Sequence, residues 1–175
     1  MQIKKIVTGY LEGNCYIIYD NKKCLLVDPG SEEDKIDKFI SKNELKISAI
    51  LITHHHFDHI GALEYFKEKY KCKIIDVEDV EKTIKISNFN FHVIPTFGHT
   101  MDSVSFYFEE EKIMFTGDFL FKDSIGRYDF KESDAVEMQK SIKLIKNYDP
   151  KIKIYPGHGE ITTLKQELEN NVYLK

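Results

Sequence analysis

The segment of residues 53–59, Thr-His-His-His-Phe-Asp-His, constrains this chain more than any other feature. It follows a β-branched, apolar run over residues 47–53, which predicts a buried strand that leads directly into the histidines. A histidine cluster with a neighbouring carboxylate at the end of a strand is the pattern of a metal site. The fold therefore has to bring that strand end to an accessible position.

The spacing within this segment allows more than one ion to bind. In an extended chain, residues two apart point the same way, so His54 and His56 can converge on one ion while His55 points elsewhere. If the chain turns after His56, Asp58 and His59 can face a second ion beside the first. We therefore expect His55 to support the site rather than to bind metal.

Three further segments each place a potential ligand beside glycine. They are residues 96–100 with His99, residues 116–118 with Asp118, and residues 156–159 with His158. Glycine allows tight turns and close backbone approach, which a loop needs to aim a side chain at a fixed point. Imidazole and carboxylate ligands together suit zinc, with iron or manganese as alternatives.

The remaining pattern alternates short β-rich runs with amphipathic segments. Strands are predicted over residues 3–7, 15–19, 24–27, 47–53, 104–108, 112–115 and 152–155, and helices over 32–42, 61–70, 133–146 and 162–174. Strand groups broken by helices in this order favour a sheet-on-sheet core with helices outside. The length of 175 residues predicts one domain over residues 1–175.

Composition excludes several classes of partner. The formal net charge of −4 and the lack of a basic cluster argue against nucleic acid binding. No apolar run has the length of a membrane span or signal peptide, so we expect a cytoplasmic protein that does not bind a membrane. The three cysteines are widely separated in strand-like runs, which favours buried free thiols over disulfides.

Taken in order, these segments resemble the metallo-β-lactamase superfamily, from residues 14–16 and 27–30 through to 156–159. The resemblance implies an α/β fold, an αββα four-layer sandwich in which two mixed β-sheets pack face to face with helices outside. It also implies a binuclear metal centre. In that centre His54, His56 and His99 hold the first ion, Asp58, His59 and His158 hold the second, and Asp118 bridges both.

Residues 117–121 and 124–129 are similar to the glyoxalase II-like branch, whose members hydrolyse thioesters such as hydroxyacylglutathione. Arg127 lies where that branch has a cationic residue, so it is expected either to contact an anionic substrate group or to pair with Asp129. Tyr128 is a candidate wall of the substrate groove. Asp28 is expected to fix a turn and to support the metal ligands indirectly.

These residues predict a metallo-hydrolase of a small thioester or related acyl substrate, as a monomer or small homo-oligomer. Two divalent ions roughly 3.5–4 Å apart can share a hydroxide at neutral pH, and this hydroxide would attack the carbonyl. Asp58 is the expected catalytic residue, because it can orient that hydroxide.

Two alternatives remain open from the sequence. The Gly-Arg-x-Asp stretch also resembles persulfide dioxygenases, which would use a single iron on His54, His99 and Asp118. The other alternative is a non-catalytic metal-binding or electron-transfer module. A site of seven shared ligands, which leaves positions open for water and substrate, argues against that module.

Overall fold

A computed structural model describes residues 1–175, and its strands form two mixed sheets. The first sheet has the spatial order β1-β2-β3-β4-β5. Its strands are β1 (Gln2–Thr8), β2 (Gly13–Asp20), β3 (Lys23–Val27), β4 (Lys46–Leu51) and β5 (Lys73–Ile75). The pairs β1–β2 and β2–β3 are antiparallel, whereas β3–β4 and β4–β5 are parallel. Parallel neighbours need crossover connections, and helices supply them here.

The second sheet comes mainly from the C-terminal half of the chain. Its strands are β6 (Thr83–Ile86), β7 (Phe89–Pro95), β8 (Val104–Phe108), β9 (Ile113–Gly117), β12 (Lys153–Pro156) and β13 (Thr162–Thr163). The strands β10 (Leu120–Phe121) and β11 (Ser124–Ile125) form a separate small hairpin. The spatial order is β13-β12-β9-β8-β7-β6, in which only β12 and β9 are parallel.

Five helices cover the sheets: α1 (Glu33–Lys42), α2 (Phe57–Ile60), α3 (Leu63–Tyr70), α4 (Ala135–Ile145) and α5 (Leu164–Asn170). Short 3-10 turns occur at Val77–Asp79 and Val172–Leu174. None of these helices combines the length and the apolar character that crossing a membrane requires.

Alternation along the strands explains the layers. On β2, Tyr16 and Ile18 pack in the cluster between the two sheets, whereas Cys15 and Ile17 pack in the cluster beneath α1 and α3. Because side chains alternate between the two faces of a strand, one strand can be buried on both sides. A third cluster packs α4 and α5 against the second sheet. The predicted αββα sandwich of two mixed sheets is therefore confirmed.

Several boundaries differ from the sequence prediction. The strand predicted over residues 47–53 ends at Leu51, and the helix predicted over 61–70 begins at Leu63. The C-terminal helix predicted over 162–174 divides into β13, α5 and a 3-10 turn. Asn171, buried between α5 and that turn, is extended and accepts from the backbone N–H of Tyr173, which ends the helix.

The fold places four loops at one site. The candidate ligands at residues 54–59 follow β4, His99 follows β7, Asp118 follows β9 and His158 follows β12. Loops that follow strands of a rigid sheet can aim side chains at a common point while the strands stay buried.

Candidate metal centre

The seven residues predicted as metal ligands come together in the structure. They form three overlapping groups, in each of which the potential ligand atoms lie within 4.8 Å of one another. The groups are His54, His56 and His99; His54, His59 and Asp118; and Asp58, His59 and His158. Segments far apart in sequence therefore meet as a compact set of imidazoles and carboxylates.

The first group is built from three imidazole nitrogens. His56 Nδ1 lies 3.1 Å from His54 Nε2 and 3.0 Å from His99 Nε2. His54 and His99 are buried, and His56 is partly exposed at the edge of the cluster. The three nitrogens face a common point, as the alternation of His54 and His56 predicts.

Carboxylates and histidines build the second group. Asp58 Oδ2 lies 3.2 Å from His158 Nε2 and 3.7 Å from His59 Nε2. Asp118 lies between the two groups, because its Oδ2 is 3.6 Å from His99 Nε2 and 3.5 Å from His158 Nε2. This is the position that a residue contacting two ions would need.

Local backbone geometry explains this convergence. His56 is extended, with φ −66° and ψ 144°, and α2 begins at the next residue, which turns Asp58 and His59 toward the cluster. Gly157 leaves room for the carboxylate, since a Cβ at that position would lie 2.2 Å from Asp118 Oδ1. Glycine is needed there because any side chain would displace Asp118.

Each of the five histidines has an acceptor for its outer ring nitrogen. The donor and acceptor pairs are His54 Nδ1 with Thr53 Oγ1 (3.1 Å), His56 Nε2 with Glu132 Oε1 (3.3 Å), His59 Nδ1 with Asp28 Oδ2 (3.1 Å), His99 Nδ1 with the carbonyl of Arg127 (2.7 Å), and His158 Nδ1 with the carbonyl of Leu11 (3.0 Å). Such partners fix the tautomer and the ring orientation, so the inner nitrogens are free to bind a cation.

Asp28 is a buried carboxylate that fixes the positions of Thr53 and His59 by hydrogen bonds. Its two oxygens accept from the backbone N–H of Thr53 (2.8 Å), the hydroxyl of Thr53 (2.6 Å) and His59 Nδ1. Asp28 itself has a left-handed φ of 47°, which places it in a turn after β3. The structure thus gives Asp28 both contacts that the sequence suggested, a turn and an indirect link to a candidate ligand.

Burial and neighbouring charges shift the pKa values of the candidate ligands in different directions. Burial and the adjacent histidines hold the pKa of His54 well below its usual value. Burial also opposes protonation of His59, but Asp118 and Asp28 outweigh it and raise the pKa of His59 to about 10. For Asp58, burial is outweighed by His158 and His59, which lower its pKa to about 2. Asp58 is therefore ionised at neutral pH, whereas His59 holds a proton that a metal ion would have to displace on binding.

Two buried polar atoms identify where a cation fits. Asp118 Oδ1 and His59 Nε2 are buried without a hydrogen-bond partner, although they lie 3.3 Å apart. Leaving buried donors or acceptors unsatisfied costs roughly 1–3 kcal/mol each. A divalent cation would satisfy both atoms, and the set of five imidazoles and two carboxylates suits such an ion.

A cleft of about 540 Å³ opens over the cluster. Its lining comprises Leu11, His56, Phe57, Asp58, His99, Asp118, Phe121, Gly126, Arg127, Phe130, Glu132 and His158. Arg127 lines the cleft, and its guanidinium donates to Asp129 at 2.9 and 3.1 Å, which is one of its two predicted roles; contact with an anionic substrate group stays a prediction. It also lies over the ring of Phe130, 4.3 Å from the centroid. Tyr128 is exposed and does not line this cleft.

Several residues at the site were not predicted from the sequence. Glu132, Leu11 and Phe130 line the cleft, and none belongs to a recognisable motif. His55 points away from the cluster, where its Nδ1 lies 2.6 Å from Asp102 Oδ2. The backbone N–H of His55 donates to the same oxygen, so Asp102 holds the histidine segment from outside.

Comparisons with known proteins agree with this geometry. GloC of Haemophilus influenzae, named a hydroxyacylglutathione hydrolase, is 30% identical over 209 aligned residues, covering 99% of this chain and 98% of that protein. The solved structure of BLEG-1 B3 metallo-beta-lactamase has a TM-score of 0.92 at 29% identity and covers 99% of this chain and 100% of its own. TTHA1623 in a di-iron-bound form has a TM-score of 0.87 at 29% identity, with coverage of 98% and 100%.

The family model described as the metallo-beta-lactamase superfamily matches residues 8–85 and 73–158, which together include every candidate ligand. The chain belongs to the metallo-beta-lactamase superfamily.

Proposed function

We propose that this protein is a metal-dependent hydrolase of thioesters or closely related acyl compounds. The observation that carries the proposal is the meeting of seven ligand side chains, including the two unsatisfied atoms of His59 and Asp118, at the base of an open cleft. A structural metal site is closed by its protein ligands, whereas a catalytic site keeps positions accessible. The cleft gives a substrate that access.

The three ligand groups support a pair of divalent ions. His54, His56 and His99 would hold one ion and Asp58, His59 and His158 the other, and Asp118 is near enough to both groups to contribute to either. The di-iron form of TTHA1623 is consistent with a pair, and the donor types also accept zinc. We propose zinc as the resident metal. Metal analysis that found iron or manganese instead would replace this assignment.

The protein's own groups perform specific tasks around the reacting atoms. When bound, divalent cations supply Lewis acidity, which lowers the pKa of a coordinated water from about 15.7 toward 7 and polarises a carbonyl. Asp58 is ionised and faces the cleft, so it can accept a hydrogen bond from the attacking water and hold it in line. The two oxygens of Asp118 approach different histidines, His59 and His99, so Asp118 links the two ligand groups.

The hydrolysis balances with water as the only co-substrate. A bond forms between the water oxygen and the acyl carbon, the carbon–sulfur bond breaks, and a carboxylic acid and a thiol leave. A thiol has a pKa near 8.5, so its thiolate departs without a strong general acid. The relative named hydroxyacylglutathione hydrolase supports a thioester as the substrate.

The competing proposal is a mononuclear iron dioxygenase acting on persulfides. Two histidines and one carboxylate form the facial set of such enzymes, and His99 and Asp118 approach to 3.6 Å beside His54. The hydrolase uses all seven ligands, whereas the dioxygenase leaves the Asp58 group without a role. Oxygen uptake separates the two proposals.

The decisive experiment measures thiol release from a glutathione thioester, oxygen uptake with glutathione persulfide, and metal content on one preparation. We expect about two metal ions per chain, thiol release and no oxygen uptake. Asp58→Ala and His99→Ala should each lower kcat/KM by several orders of magnitude, on the order of 10³-fold. His92→Ala is the matched control, because His92 lies on β7 outside the cleft.

Two results would contradict the proposal. One is oxygen uptake with a single iron per chain and no thiol release, which would establish the dioxygenase. The other is full thiol release by Asp58→Ala after removal of the metal, which would show that neither the carboxylate nor the ions take part.

A further inference from the structure

Three large apolar side chains are exposed side by side next to the cleft. Tyr10 is 82% exposed, Phe57 60% and Leu11 43%, and the rings of Tyr10 and Phe57 stack with centroids 6.4 Å apart. We call these three residues the apolar ledge. Single exposed apolar side chains are ordinary on a protein surface, whereas a contiguous group beside a cleft is a candidate binding surface.

The apolar ledge is continuous with the cleft over the candidate ligands. Leu11 and Phe57 line the cleft together with Asp58 and His158. The same two residues, with Tyr10 and Asp58, also line a neighbouring cavity of about 310 Å³. A molecule held at Asp58 can therefore extend over the apolar ledge without leaving the protein surface.

The apolar ledge is fixed relative to the candidate ligands. The carbonyl of Leu11 accepts from His158 Nδ1 at 3.0 Å, and the backbone N–H of Glu12 donates to the carbonyl of Gly9 at 3.2 Å, which closes the turn. Phe57 stands between two candidate ligands in the chain, His56 and Asp58. Because its position is set by the site itself, the apolar ledge can bind without first becoming ordered.

The two ends of the cleft differ in polarity. The apolar ledge lies at the end formed by Asp58 and His158. At the other end, the charged side chains of Arg127 and Glu132 line the cleft together with Phe130, whose ring packs against His56 and His99. A substrate with one apolar and one charged substituent on its carbonyl is best accommodated with the apolar substituent on the apolar ledge.

We propose that the apolar ledge binds the acyl part of the substrate, so that the enzyme prefers thioesters with a medium-length apolar acyl chain over those with a short polar one. This inference rests on the proposed thioester hydrolysis and adds the acyl specificity. The charged end then receives the polar thiol part. Burying acyl methylenes on the side chains of Tyr10, Leu11 and Phe57 supplies the preference.

The test compares acetyl and octanoyl thioesters of one common thiol, N-acetylcysteamine, on the metal-loaded protein. We expect kcat/KM to be about tenfold higher for the octanoyl ester, mainly through a lower KM. Tyr10→Ala and Phe57→Ala should each reduce this octanoyl-to-acetyl ratio several-fold, roughly 3-fold or more. Tyr173→Ala is the matched control, because Tyr173 is an exposed aromatic residue remote in sequence and outside the cleft.

Each outcome has a definite meaning. Tyr10 is so exposed that its removal cannot disrupt the core, so Tyr10→Ala remains informative if Phe57→Ala fails to fold. Equal kcat/KM for the two esters would overturn the acyl specificity while leaving the hydrolase intact. Release of thiol from neither ester would overturn the hydrolase and the specificity with it. A dimer in sedimentation that Tyr10→Ala dissociates, with no acyl preference, would assign the apolar ledge to a second copy instead.

Discussion

At each candidate ligand histidine, the outer ring nitrogen sets how the ring is turned. Four of the five acceptors are backbone carbonyls or buried side chains, and these cannot move independently of the fold. The acceptor for His56 is different, because Glu132 is 54% exposed and lies at the mouth of the cleft. The orientation of His56 therefore depends on one surface side chain.

This contact predicts a measurable loss of metal affinity. Glu132→Ala should weaken metal binding by about tenfold, because an outer partner of a metal-binding histidine fixes its ring and raises its basicity. Glu132→Gln retains an acceptor oxygen and should lose less. Competition with a chromophoric chelator measures both affinities, and Glu109→Gln on the β8–β9 turn is the control. Unchanged affinity in Glu132→Ala would show that the contact does not orient His56.

The difference between ligands and outer partners also explains what the sequence could predict. Metal ligands require a few residue types, so His54, Asp58, His99 and Asp118 are recognisable beside turns and glycines. Any residue has a backbone carbonyl, so the residue types of Leu11 and Arg127 do not indicate that their carbonyls accept from ligand histidines. Glu132 could not be predicted either, because it approaches His56 only after the chain has folded.

At the scale of elements, one ionised side chain joins α1 to α3. Asp37 on α1 accepts from Lys69 Nζ at 2.8 Å and from the hydroxyl of Tyr70, both on α3. Burial opposes ionisation of Asp37, but the contacts with Lys69 and Tyr70 outweigh it and lower its pKa below the usual value. Ionised Asp37 therefore stabilises the folded state.

This pair of contacts predicts a pH-dependent stability difference. Because the folded pKa is depressed, the stabilisation is present above the unfolded value of about 3.9 and is lost as pH falls through the folded pKa. Asp37→Asn should lower the free energy of unfolding by about 1 kcal/mol at pH 7 and by progressively less below pH 4. Urea unfolding at several pH values measures this difference.

Glu68→Gln on α3 is the control for this charge change, because Glu68 is exposed and forms no ion pair. A stability difference between wild type and Asp37→Asn that stayed constant from pH 7 to pH 3 would show that the carboxylate acts by packing alone.

The elements themselves differ in how far the sequence predicts them. Long segments such as β2 and α4 were predicted, since β2 carries an unbroken apolar run and the apolar residues of α4 recur at helical spacing. The hairpin of β10 and β11 has two residues per strand, and α2 has four residues. Neither is long enough to show a period, and both are held by tertiary contacts instead.

For the whole molecule, the candidate metal centre joins parts of the chain that are distant in sequence. Without a cation, buried polar atoms such as His59 Nε2 and Asp118 Oδ1 have no hydrogen-bond partner, so a bound cation should stabilise the fold. A ligand at a free concentration about 100 times its Kd stabilises a folded protein by about 2.7 kcal/mol. For a protein of this length, that corresponds to an increase in Tm of roughly 5–10 °C. Chelation should therefore lower Tm by that amount, and added zinc should restore it. A Tm indifferent to both treatments would contradict ion binding at this cluster.

The division of the ligands between the two sheets has a consequence for chain connectivity. His54, His56, Asp58 and His59 follow a strand of the first sheet, whereas His99, Asp118 and His158 follow strands of the second. Each of the three ligand groups draws on both. A polypeptide severed between β5 and β6 would thus yield two pieces that each lack part of every group. Free cation would strengthen their reassociation, because it would add a reversible cross-link to the apolar contacts between the two sheets.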